Sequence, residues 1–72
     1  MTYGFLLNLN TYNMKQVIVT FFKGRRVLGN PIIQVDEKED KKEMLKDAVD
    51  VAIARHGEKY HEHTNIGTLI YS

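Results

Sequence analysis

The sequence predicts an α+β fold: a small single domain in βββαβ order, with a mostly antiparallel four-stranded sheet and one helix packed on one of its faces. Three observations predict it. The first 35 residues carry alternating, β-branched and aromatic stretches typical of strands. A charged run at Asp36–Glu43 then opens a segment of helical periodicity that ends near His56. After a polar loop, residues 66–71 return to strand composition. A chain of 72 residues allows this one domain, spanning 1–72, and no second one. With no cysteine, neither a disulfide nor a thiolate-bound metal can reinforce its small core.

Taken in order, Tyr3, Phe5, Leu7 and Leu9 are apolar, with Thr2, Asn8 and Asn10 between them, which predicts a half-buried first strand. Asn10-Thr11-Tyr12-Asn13 reads as a turn, because Asn tolerates the left-handed backbone. Val17-Ile18-Val19-Thr20-Phe21-Phe22 predicts a second strand, apolar on both faces and therefore central. Lys23-Gly24-Arg25 follows as a hairpin turn, with Gly supplying a positive φ. A third strand is expected from Arg26 to Val35, interrupted at Gly29-Asn30-Pro31. Proline cannot donate to a ladder, so this strand belongs at an edge, with a bulge or bend at the interruption.

Asp36 with Glu39, or Asp40 with Glu43, has the spacing of a capping box, and acids crowd the first turn as the helix dipole prefers. The helix is expected to stop at Gly57 in a left-handed conformation. Its apolar face centres on Leu45, Ala48, Val49 and Ala52, flanked by Met44, Val51 and Ile53, with Asp40, Glu43, Asp47 and Asp50 as an acidic stripe opposite. The final strand is expected beside the first, giving the sheet order 3-2-1-4.

The residues exclude several chemistries. The one serine is the last residue, there is no cysteine, and the five threonines have no visible base beside them, so covalent catalysis has no evident nucleophile. No glycine-rich phosphate loop is present. Paired carboxylates occur only on the exposed helix stripe, where solvent keeps them near their ordinary acidity. No catalytic residue, cofactor or small-molecule substrate is therefore expected. His61-Glu62-His63, with His56 and Glu58 nearby, carries zinc-type ligands, but its spacing is loose and reads better as a polar loop. No metal is expected.

Binding is the remaining class. Net charge is only +1, yet residues 1–35 hold four basic side chains and no acid, while 36–72 hold nine acids and six bases. If Val17, Val19 and Phe21 face the helix, then Ile18, Thr20 and Phe22 face away, with Leu6 beside them, and one helix cannot cover both faces. The expected contact is this open face, through Ile18 and Phe22, rimmed by Lys23, Arg25 and Arg26. Such a surface suits a protein partner, an acidic one in particular, or self-association as a homodimer. The alternative is nucleic-acid binding through the basic hairpin Lys23–Arg26, with phosphate contacts and a stacked aromatic. No apolar run reaches the length of a membrane helix, and no signal peptide is apparent, so a cytoplasmic protein is expected. Abundant Lys, Ile, Asn and Tyr fit an AT-rich genome, and the small size fits a regulator or inhibitor of a cellular protein, encoded by a phage or mobile element.

Overall fold

The computed structural model describes residues 14–72. They form four strands and a helix in βββαβ order: β1 (Met14–Lys23), β2 (Arg26–Gly29), β3 (Ile32–Asp36), α1 (Lys41–His56) and β4 (Asn65–Ile70). The sheet is antiparallel throughout, with β1 paired to every other strand. The α+β fold class, the element order and the single helix on one face are as the sequence predicts.

β1 holds its partners on two edges. On one edge β2 and β3 lie end to end, as one interrupted strand. β2 faces Phe21–Lys23 and β3 faces Met14–Ile18. Pro31 breaks the ladder but still contributes, its carbonyl accepting the Val19 N–H at 3.0 Å. The register slips between Phe21 and Phe22, since Phe21 pairs with Gly29 and Phe22 with Val27. The bulge therefore falls at Leu28 rather than at the proline. β4 fills the other edge of β1, from Val17↔Ile70 to Phe22↔Asn65. The backbone bonds between Gln16 and Tyr71–Ser72 prolong that ladder.

This topology differs from the expected order 3-2-1-4. Residues 3–9, the expected first strand, lie outside the described residues, as do the expected turn at 10–13 and Leu6. The last strand pairs directly with the strand at 17–22. The chain leaves β3 on one edge of β1, crosses through α1, and returns as β4 on the opposite edge. β3 and β4 thus run parallel to each other with β1 between them.

Alternation along β1 decides which side chains make the core. Val17, Val19 and Phe21 are fully buried against Ile33, Val35, Met44, Ala48 and Ala52. Each large side chain so buried contributes roughly 1.5–3 kcal/mol. Gly24 turns the hairpin at φ 61° while Arg25 keeps a negative φ, the pattern of a type II′ turn, which matches the strand twist.

Asp40 caps α1, its Oδ1 accepting from the N–H groups of Lys42 (3.0 Å) and Glu43 (3.4 Å). The reciprocal half of the capping box is absent. Glu43 instead accepts from Lys38 Nζ (3.0 Å), which also reaches Asp47 (2.7 Å). Those two carboxylates raise the Lys38 pKa above its ordinary value. The buried helix face is rotated from expectation: Met44, Ala48 and Ala52 are its centre, Leu45, Val49 and Val51 flank it, and Ile53 is exposed. Two alanines in line bring the helix axis close to the sheet, which larger Leu45 and Val49 in that position would prevent. Gly57 is right-handed (φ −59°, ψ −37°), not left-handed. The chain does not reverse there; it continues in helical turns, with Gly57 N–H donating to Ile53 O and Tyr60 N–H to His56 O.

The two adjacent phenylalanines separate the faces experimentally. Phe21→Ala is expected to lower the unfolding free energy in urea by about 3–5 kcal/mol, as for any fully buried aromatic. Phe22→Ala should lose clearly less. A reversed ranking would invert the assignment of the faces.

Candidate interaction surface

The face of the sheet away from α1 is built by the other half of the alternation. In β1 it presents Ile18, Thr20 and Phe22. Directly across from Ile18 lie Ile32 on one side and Leu69 on the other. These three aliphatic residues form a row perpendicular to the strands. A second row places Val27 and Asn65 on either side of Phe22. Between the rows lies Gly67, and the Phe22 ring covers it: a Cβ there would stand 3.2 Å from a Phe22 ring carbon. This contact explains why Phe22 is half-buried on an open face.

Among the described residues, four large apolar side chains are more than half exposed: Val27 (51%), Ile32 (51%), Leu69 (65%) and Tyr71 (60%). Strand alternation puts all four on the open face. No described residue covers them, and a contiguous apolar patch of this kind is uncommon on a protein that acts alone. Of these residues the sequence reading named none. For Leu69 and Tyr71 the signal was the period of two through residues 65–71, readable only once β4 is known to lie against β1.

The expected rim is divided by the structure. Ile18 and Phe22 sit on the open face as predicted. Lys23 and Arg26 pair with each other on the opposite side of the ladder, one step from Phe22 and Val27. Lys23 is turned toward the loop at 57–64, where its Nζ lies 2.6 Å from Glu62 Oε1. Arg25 stands at the hairpin tip between the two sides. The basic residues therefore do not encircle the apolar patch.

The loop that takes up Lys23 covers the core where the helix ends. Tyr60 lies 5.0 Å, centroid to centroid, from the Phe21 ring, and His63 meets Phe21 edge-on at 5.3 Å. Tyr60 also rests on Gly29, where any Cβ would fall within 2.3 Å of the phenol ring. Thr64 anchors the loop's end, its N–H donating to Phe22 O (2.7 Å) and its Oγ1 accepting from Gly24 N–H (2.9 Å). The loop and helix thus share one face, and no other element among the described residues covers the opposite one.

The histidines serve this loop. His61 Nδ1 faces Glu58 O at 3.0 Å and His63 Nδ1 faces Tyr60 O at 2.9 Å. Among the described residues no three His, Asp or Glu side chains converge as a metal would need. A cavity of about 370 Å³ lies beside β3, lined by Asp36, Asp47 and Asp50 with Met14, Gln34, Val35 and Val51. A smaller one of about 250 Å³ lies between Leu28 and residues 59–62. The acidic stripe of α1 accordingly borders the edge of the sheet rather than facing wholly into solvent. No polar or charged side chain among the described residues is buried, and no helix among them is long and apolar enough to cross a membrane. Compared with known protein families, with curated proteins and with solved structures, the chain matches none.

The Lys23 ammonium holds the Glu62 carboxyl below the ordinary glutamate range. A carboxylate whose folded pKa is depressed stabilises above its unfolded pKa and loses that contribution as pH falls through the folded value. The pair's small contribution to the loop is therefore present at neutral pH and lost in acid. Carboxyl titration by NMR should find Glu62 lowered in the native chain and returned to the ordinary range by Lys23→Met.

Proposed function

We propose that this chain is a small, non-enzymatic protein-binding module that docks on another protein chain through the open sheet face. One observation carries the proposal: the apolar patch formed by Ile18, Phe22, Val27, Ile32, Leu69 and Tyr71 on the face that neither α1 nor the loop at 57–64 covers. Aromatic and aliphatic anchors on a flat, fixed sheet suit a contact whose affinity comes from buried apolar area. Acting as a regulator or inhibitor in the cytoplasm, by occupying a surface of its target, belongs to the same proposal.

A second reading is nucleic-acid binding at the hairpin tip. Its support is that Arg25 and Arg26 are both exposed there, with Lys59 exposed on the loop beside Leu28. The pairing of Lys23 with Glu62 reduces the charge available to phosphate. A site neutralising three phosphates would show a log–log salt slope of about −3.

A photo-cross-linking side chain placed at Leu69 is expected to give a discrete protein adduct in cells, and one at Lys46 on the exposed side of α1 should not. Phe22→Ala should weaken that contact by about thirtyfold, the scale of an aromatic hot spot. Replacing Arg25 and Arg26 together with alanine should weaken it only a few-fold. Adducts with nucleic acid from Arg25, and none from Leu69, would overturn the proposal in favour of the second reading.

A further inference from the structure

We infer that the occupant of the open face, when no target is present, is a second copy of this chain, packed sheet against sheet with the two β1 strands antiparallel about a two-fold axis. The inference rests on the reading of this face as a protein-docking surface and names its partner.

Four observations carry it. The first is the absence of charge from the middle of the face. Between Gln16 and Phe22 the outward side chains of β1 are uncharged, and so are their partners Gln34, Ile32, Leu69 and Asn65. Nothing there selects a charged partner, and neutral amides both donate and accept, so they can meet their own copies.

The second is symmetry. Ile18 lies near the midpoint of the ten-residue β1, flanked by Ile32 and Leu69. A two-fold axis along that row sets Ile18 on Ile18, Ile32 on Ile32 and Leu69 on Leu69, an isologous contact with the bulkiest exposed aliphatics at its centre.

The third is charge at the two ends of the face. The hairpin tip carries Arg25, and the far end carries Asp36, across from Met14 and followed by Glu37. Antiparallel packing brings each tip over the acidic end of the other copy. Parallel packing would stack like charges at both ends. A net charge of +1 adds almost no repulsion between copies.

The fourth is area. Three strands about 4.8 Å apart and a ten-residue β1 rising about 3.3 Å per residue outline roughly 14 by 33 Å. Two copies then bury on the order of 1,000 Å², the lower limit of a specific interface. The dimer is accordingly weak, so it dissociates on dilution and yields its face to a better-matched target.

Sedimentation equilibrium on the full chain, from low micromolar to submillimolar protein, should show a mass rising from 8.4 kDa toward twice that value. The variant carrying both Ile32→Lys and Leu69→Lys should stay at the chain mass and keep its unfolding midpoint, because both side chains are exposed. Asp36→Arg and Arg25→Glu should each weaken the dimer several-fold, and the double variant should recover most of the loss. In this cysteine-free chain, Leu69→Cys should cross-link to itself with a short bis-maleimide. A mass of 8.4 kDa throughout, a dimer that survives the double lysine variant, or charge swaps that fail to compensate would overturn the inference. If the native chain stays monomeric yet binds an apolar dye that the double lysine variant does not, the docking face stands and only the second copy falls. If it binds no dye either, both fall.

Discussion

The structure depends on β1 being paired along both edges. A single ten-residue strand fixes the register of β2, β3 and β4, because none of those three pairs with another. Period-two alternation then has a global effect. The inner row of β1 becomes the centre of the core, and the outer row becomes the centre of the open face. A slip of one residue would exchange the two rows. Both rows are apolar, so burial of one does not by itself choose the register. The choice is made by size and by closure. Phe21 fits beneath Tyr60 and His63. Phe22 packs its ring edge against Gly67.

Glycines and one proline settle how the loop and helix divide their shared face. Tyr60 reaches the sheet only because Gly29 offers bare backbone, and the bulge at Leu28 aims that backbone toward it. The helix covers the end of the sheet nearest β3, and the loop at 57–64 covers the hairpin end. The Lys23–Glu62 pair and the Thr64 hydrogen bonds fasten the loop at its far side. Exposed ion pairs add little stability alone. The register already places Lys23 on the loop's side of the sheet, and the pair joins it to Glu62 there.

The local elements were legible in the sequence. The strand at 17–22, the Gly24 hairpin, the Asp40 cap, the helix and the last strand each carry their own signal within a few residues. The division of β1 into inner and outer rows was legible too, and with it Ile18 and Phe22. Partners far along the chain were not. Nothing in residues 65–70 says which strand they join, so Leu69 and Tyr71 could not be assigned to the same face as Ile18. The helix presents a broad apolar arc in which Met44 and Leu45 are equally plausible at the centre, and only the close approach at Ala48 and Ala52 decides between them. The side taken by Lys23 and Arg26 follows from a one-residue bulge that no residue type announces. Gly57 misled for a related reason: glycine permits a left-handed stop without requiring it, and the bonds to Ile53 and His56 carried the turn onward.

A sheet with a helix on one side only is half of a layered fold. Antiparallel sheets commonly leave one face to water, but that face is then polar. Here it is not: the row Ile32–Ile18–Leu69 and the pair Phe22–Val27 would be ordinary core residues if anything lay over them. None of these side chains belongs to the buried core cluster, and Val27, Ile32 and Leu69 are more than half exposed. Apolar character on such a face is what the proposed contact with another chain would use. The charges separate in the same sense. Arg25 and Asp36 stand at opposite ends of the face, where they can orient an approaching surface without being desolvated beneath it. In the proposed contact, affinity and orientation would come from different residues of one strand-built surface, the first from its middle and the second from its ends.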